Sequence, residues 1–100
     1  MPDSKNADII RLAHDFESIT VAGTAIGFTA AKAARANRVL VTVETGEIRF
    51  RYDGTDPTAT EGHRSKSGDV WEILGTQNIK NFKAIRSNTT SSALKVTFEV

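Results

Sequence analysis

The stretch Ile48-Arg49-Phe50-Arg51-Tyr52-Asp53-Gly54-Thr55-Asp56-Pro57-Thr58-Ala59-Thr60-Glu61-Gly62-His63 decides how this chain is read. Its first five residues alternate. Ile48, Phe50 and Tyr52 fall on one face of an extended segment and Arg49 and Arg51 on the other, because successive side chains of a strand point to opposite sides. The alternation stops at Asp53-Gly54, a pair that favours a tight turn. A half-buried strand therefore runs into a polar, displayed loop that carries no recognisable catalytic motif.

Upstream, Arg38 to Glu44 sets Val39, Val41 and Val43 on one face against Leu40, Thr42 and Glu44, the clearest strand pattern in the chain. Thr45-Gly46-Glu47 is short enough to be a hairpin connection, so the two strands are expected to pair as the central hairpin of the fold. Phe16 to Val21 reads as a further strand, and Thr24 to Thr29 as a short one whose Gly27 marks a bulge or a close backbone approach. Ala30 to Ala36 is the best local helix former, though about two turns are marginal without tertiary support. Ala7 to His14 fits either a short helix or an extended arm.

Downstream, Asp53 to Asp69 carries four turn signals, at Asp53-Gly54, Asp56-Pro57, Glu61-Gly62 and Ser67-Gly68. A loop of that length is commonly a binding loop or conceals a short strand, and His63 to Lys66 is the segment expected to pair. Val70 to Leu74 is a strand with apolar residues on both faces, which implies burial on both sides or a subunit contact at Trp71. Gln77 to Asn81 reads as a polar turn and Phe82 to Arg86 as a short strand. Leu94, Val96, Phe98 and Val100 alternate in a last strand expected to close a sheet already formed.

These elements define an all-β chain of about seven short strands with at most one short helix, arranged as a small antiparallel β-sandwich or a partly open β-barrel. Residues 1–14 read as an N-terminal arm free to be flexible, and 15–100 as a single β domain.

Composition narrows the function. The chain has 100 residues, no cysteine, and a net charge of +1. One modest core is all that length supports, and association would help it. Without cysteine there is no disulfide framework, thiolate metal site or cysteine nucleophile. Two distant histidines, His14 and His63, do not make a metal site, and Asp53, Thr55 and Asp56 lack the rest of a calcium loop. No catalytic signature is present, so neither an enzyme nor a cofactor is expected. No apolar run is long enough for a membrane span.

Near-balanced charge argues against a phosphate polymer as the main partner. The alternative class remains an oligonucleotide-binding β-barrel, with Arg49, Arg51, Lys80, Lys83 and Arg86 on one face and Phe82 or Trp71 for base stacking. A weaker alternative is a carbohydrate-binding module using Trp71 and Tyr52 as its platform. The interaction reading assigns partner contacts to Asp53, Asp56, Glu61, His63, Arg64 and Trp71.

The run from Ile48 to His63, followed by Gly68-Asp69, then Ile79 to Arg86 and the closing Ala93 to Phe98, resembles small virion structural proteins of tailed bacteriophages. Those share a strand ending in Arg-x-Asp-Gly-Thr-x-Pro-Thr, a Gly-His pair, a Gly-Asp turn, an Asn-Phe pair and a final alternating strand. The similarity spans the chain from Val39 onward. This chain departs from the pattern at Arg64-Ser65-Lys66-Ser67, where an aliphatic residue is expected, and residues 1–22 carry no resemblance. The resemblance implies a non-enzymatic component of the capsid surface, neck or tail. Such a component is made in the host cytoplasm, resides in the virion, and acts through contacts with capsid or tail subunits as a homo-oligomer.

Overall fold

The computed structural model describes residues 11–100, and they form two antiparallel sheets with seven strands and two short helices. In chain order these are β1 (Ala13–Val21), α1 (Ala30–Arg35), β2 (Arg38–Thr45), β3 (Glu47–Arg51), β4 (His63–Lys66), β5 (Val70–Leu74), α2 (Thr76–Asn81), β6 (Lys83–Arg86) and β7 (Ser92–Glu99). The larger sheet has the order β1-β7-β2-β5 and the smaller β4-β3-β6. The inward residues of both sheets meet in one core that includes Val21, Val39, Val41, Val43, Ile48, Phe82, Leu94, Val96 and Phe98, all buried. This is the small β-sandwich that the alternating segments imply.

The expected hairpin is absent. β2 pairs with β5 on one edge and β7 on the other, while β3 pairs with β4 and β6. The chain changes sheets at Gly46, which holds a φ of +75°, a backbone conformation open to glycine without a Cβ clash. Val39, Val41 and Val43 then face Ile48 across the interior instead of lying beside it in one sheet. Alternation records which side of a strand is buried and is silent on which strand lies next to it.

Other expectations shift as well. Thr24 to Thr29 contributes only a single bridge, Ile26 to Ala84. Gly27 marks a close approach, because a Cβ there would lie 2.7 Å from the Phe82 carbonyl oxygen. The polar segment after Gly75 is α2, a second helix where at most one was expected. Its Ile79 is buried, and the Thr76 hydroxyl donates to the Ala36 carbonyl at 2.7 Å. Anchoring against the end of α1 overrides an indifferent local propensity.

β7 does not close an edge. It is an interior strand of the larger sheet, flanked by β1 and β2, with Leu12 and Val100 exchanging backbone hydrogen bonds beyond its end. β5 buries one face only. Trp71 and Ile73 point inward, whereas Val70 and Leu74 are exposed. The N-terminal arm lies mostly outside the described residues, and its last members, Ala13 and His14, already belong to β1. His63 to Lys66 does pair, as β4.

Candidate functional site

Two seams separate the edges of the sheets. On one side β6 meets the segment after β1: the Arg86 amide donates to the Ala22 carbonyl at 3.0 Å, and Ala84 exchanges backbone hydrogen bonds with Ile26. On the other side the β4 and β5 edges diverge from the Ser67–Asp69 turn and leave a groove of about 270 Å³. Phe50, Tyr52, His63, Arg64, Ser65 and Trp71 are among the residues lining it.

Side chains hold the open seam together. The Trp71 indole N–H donates to the Ser65 hydroxyl at 2.9 Å, and that hydroxyl donates to the Asp69 carboxylate at 3.0 Å. The same carboxylate oxygen accepts the Lys66 amide at 2.9 Å. Donation from the Lys66 amide, and then from the Ser65 hydroxyl, holds the Asp69 carboxyl below its ordinary value. Ser65 is buried, and it stands within the segment where an aliphatic residue was expected. The polar residue is required because Trp71 and Asp69 both need its hydroxyl.

Above the relay the Trp71 ring stacks on Phe50, with centroids 4.3 Å apart and planes 15° from parallel. Phe50 also meets His63 at 5.4 Å, and His63 meets Tyr52 at 6.2 Å. Below it, Phe82 contacts both Phe50 and Trp71 and stacks on Phe28, which meets Phe98 edge to face. A continuous aromatic column thus runs from the core to the rim of the groove. Rings in such offset and edge contacts gain beyond the area they bury.

The Tyr52–Gly62 loop has no regular structure, yet it is braced at both ends by the two outward arginines of β3. Arg51 grips the Asp53 carboxylate through Nε at 3.1 Å and a terminal nitrogen at 2.5 Å. Asp53 also accepts the Thr55 amide at 3.2 Å, an Asx turn that Gly54 completes with a φ of +91°. The Arg51 contact first, and the Thr55 amide second, lower the Asp53 carboxyl to about 2. Pro57 is buried beneath the loop, and the Thr58 hydroxyl accepts the Glu61 amide at 3.0 Å. At the far end Arg49 donates to the Gly62 carbonyl at 3.1 Å.

The predicted contact residues fall into two groups. Asp53, Glu61 and His63 line one open groove of about 470 Å³ with Arg51, Tyr52 and Gly62. His63, Arg64 and Trp71 line the neighbouring groove, so His63 and Tyr52 belong to both. Asp56 joins neither and lies 3.9 Å from Lys83. Trp71 is half-buried, committed to Phe50 and Ser65. Sequence reasoning missed Phe50 and Asp69 as parts of the site. The alternation of β3 implied an inward Phe50, but nothing local placed it against a tryptophan twenty-one residues away.

The cationic set does not converge. Arg49 and Arg51 hold the loop, Arg86 faces the interior side of β6 toward Gly23, and Lys80 sits at the end of α2. Phe82 is buried and Trp71 is stacked, so neither offers a free ring to a base. Among the described residues no group of three or more His, Asp or Glu side chains is placed to hold a metal, and no helix is long and apolar enough to cross a membrane. The chain matches no protein-family model, no curated protein and no solved structure, so the geometry of the site carries the functional argument.

Proposed function

We propose that the protein is a non-enzymatic virion structural component of a tailed bacteriophage, at the capsid surface or in the head–tail region, working through protein–protein contacts. The observation that supports this reading is the braced loop. Residues 52–62 are braced by side-chain hydrogen bonds without regular secondary structure, and they present the Asp53 and Glu61 carboxylates at an open groove. A loop ordered in advance loses little conformational freedom on contact, which suits a surface repeated many times by symmetry. Two of the four segments carrying the phage resemblance build this region. Arg51 to Thr58 forms the brace, Gly62-His63 the groove wall, and Gly68-Asp69 the end of the Trp71 relay.

The test is binding of the purified chain to virions, capsids and tails of a candidate phage, read by co-sedimentation. Retention expected for the wild type should fall at least tenfold for Asp53→Ala plus Glu61→Ala, which removes both the brace and an exposed carboxylate. Absence of wild-type binding to every virion part would overturn the reading. The nucleic-acid alternative predicts salt-sensitive binding of single strands that Arg49→Glu plus Arg51→Glu abolishes. The engagement of both arginines with the loop counts against it. The carbohydrate alternative loses its platform to the stacking of Trp71 on Phe50.

A further inference from the structure

Four strands lie at sheet edges: β1 and β5 in the larger sheet, β4 and β6 in the smaller. Exposed edges invite pairing with another chain, and proteins blunt them with charge, bulges or cover. Three of these are blunted. The β1 ladder is irregular between Ala13 and Asp15, and Glu17 is turned to the inward side, where it accepts from Thr29. β4 reads His-Arg-Ser-Lys and is only four residues long. β6 is crossed by the Ile26 bridge and the Arg86–Ala22 hydrogen bond.

Among the described residues β5 carries no bulge and nothing crosses it, and its one charge is Glu72. It reads Val70-Trp71-Glu72-Ile73-Leu74 without bulge, proline or basic residue, and Val70 and Leu74 are 58% and 48% exposed. Its free side borders the open groove and a second depression lined by Tyr52, Glu72, Ile73, Leu74 and Asn78. The phase of its ladder is set at both ends. The Val43 amide donates to the Asp69 carbonyl, and the Gly75 amide to the Asn37 carbonyl. In an antiparallel pair the backbone groups of alternate residues point to the same neighbour. Asp69, Trp71, Ile73 and Gly75 therefore address β2, and the N–H and C=O groups of Val70, Glu72 and Leu74 address the free side. Among the described residues one of these groups, the Leu74 carbonyl, has a side-chain partner, the Asn78 amide at 3.0 Å.

We propose that β5 is the site at which a second copy of this chain adds, strand to strand about a two-fold axis at Glu72, joining two larger sheets into one continuous sheet. The occupant follows from self-complementarity. An isologous contact requires a surface that matches itself after a half turn. Antiparallel pairing centred on Glu72 sets Val70 against Leu74 of the second copy and Leu74 against its Val70, with the outward-pointing backbone groups of both strands in hydrogen-bonding phase. The same register sets Glu72 against Glu72 of the second copy, a like-charge pair that costs stability, and each carboxylate is offset by its own Arg38 at 2.5 Å, which also holds Glu99 at 2.6 Å. This contact deepens the assembly reading above by naming one partner, and it uses a different surface from the 52–62 loop.

The experiment is light scattering of the full chain over a concentration series, with Val70→Lys plus Leu74→Lys as the variant. The wild type is expected to approach twice the chain mass, and the variant to raise the dissociation constant of the dimer at least tenfold with an unchanged far-UV circular dichroism spectrum. A wild type that stays monomeric overturns the inference, as does an oligomer that the lysines leave intact. In either case the loop-dependent binding to virions stands or falls on its own test. Register is read separately, because the natural chain has no cysteine. Oxidation should cross-link Val70→Cys plus Leu74→Cys into covalent dimers, since opposed Cα atoms about 5.5 Å apart permit a disulfide. It should leave Val70→Cys alone uncross-linked. Equal cross-linking of the single and double variants would overturn the register about Glu72.

Discussion

The two seams of the sandwich are built in opposite ways. The β6 seam is closed by backbone, through the Ile26–Ala84 bridge and the Arg86–Ala22 hydrogen bond, with Gly27 pressed against the Phe82 carbonyl. The β5 seam is held by side chains, through Trp71, Ser65 and Asp69, and leaves its strand edges unpaired. Backbone closure removes an edge and everything an edge can recognise. Side-chain closure keeps the core dry while leaving main-chain donors and acceptors on display. The difference separates a seam whose main chain is consumed from one whose main chain stays available.

The largest effect should come from the residue that serves both seams. Phe82 stacks on Phe28 toward the closed side and touches Phe50 and Trp71 toward the open one. Phe82→Ala should cost about 3–5 kcal/mol in chemical denaturation, the range for emptying a core aromatic site. A loss below about 1 kcal/mol would show that the aromatic column is not a continuous core.

Gly27→Val should act first on the closed seam. Its side chain meets main-chain oxygen, which cannot swing aside, so a loss of about 1–3 kcal/mol is expected. Loosening of β6 read by hydrogen exchange, with Trp71 fluorescence unchanged, would sharpen the contrast. Simultaneous disturbance of Trp71 would blur it.

Ser65→Ala should act on the open seam alone. The Trp71 N–H and the Asp69 carboxylate lose their shared partner, at a cost of about 1 kcal/mol because water can enter from the groove. The signature is a shift in emission of the sole tryptophan. Unshifted emission would place the indole hydrogen bond elsewhere.

The smallest effect is electrostatic and local. Asp53 has a folded pKa of about 2 against an ordinary 3.8, so its contribution is complete above the ordinary value and disappears as pH falls through the folded one. Proteolytic nicking of the 52–62 loop should rise between roughly pH 4 and 2 in the wild type. Asp53→Asn should lack that acid-dependent step. Equal pH profiles for the two would remove Asp53 as the brace.

Much of the fold was legible in the chain. The alternation of Val39, Val41 and Val43, of Ile48 and Phe50, and of Leu94, Val96 and Phe98 identifies the inward face of three strands, although Tyr52 and Val100, which continue two of these patterns past the strand ends, are exposed. Turn pairs such as Asp53-Gly54 and Ser67-Gly68 marked where strands end, and both glycines hold positive φ. The candidate site was legible only in part. Exposed members of the loop can be named from their polarity, but nothing local shows that the half-buried Trp71 stacks on Phe50 while it lines the groove. α2 reads as a turn because Ile79 is its one buried side chain and its other anchor, the Thr76 hydrogen bond to Ala36, is made to a residue forty positions away.

By itself, then, the sequence determined the class of structure, the inward face of each strong strand and the presence of a long polar loop. Those are local properties, set by side-chain polarity against a period of two and by turn chemistry. Only the tertiary structure decided that β2 and β3 part company at Gly46, that β7 lies inside its sheet, and that one seam closes while the other stays open. Pairing partners lie far apart in the chain, as Val41 does from Trp71 and Val96. Each strand offers similar backbone donors and acceptors to any neighbour, so the choice among neighbours is made by the packing of the whole core.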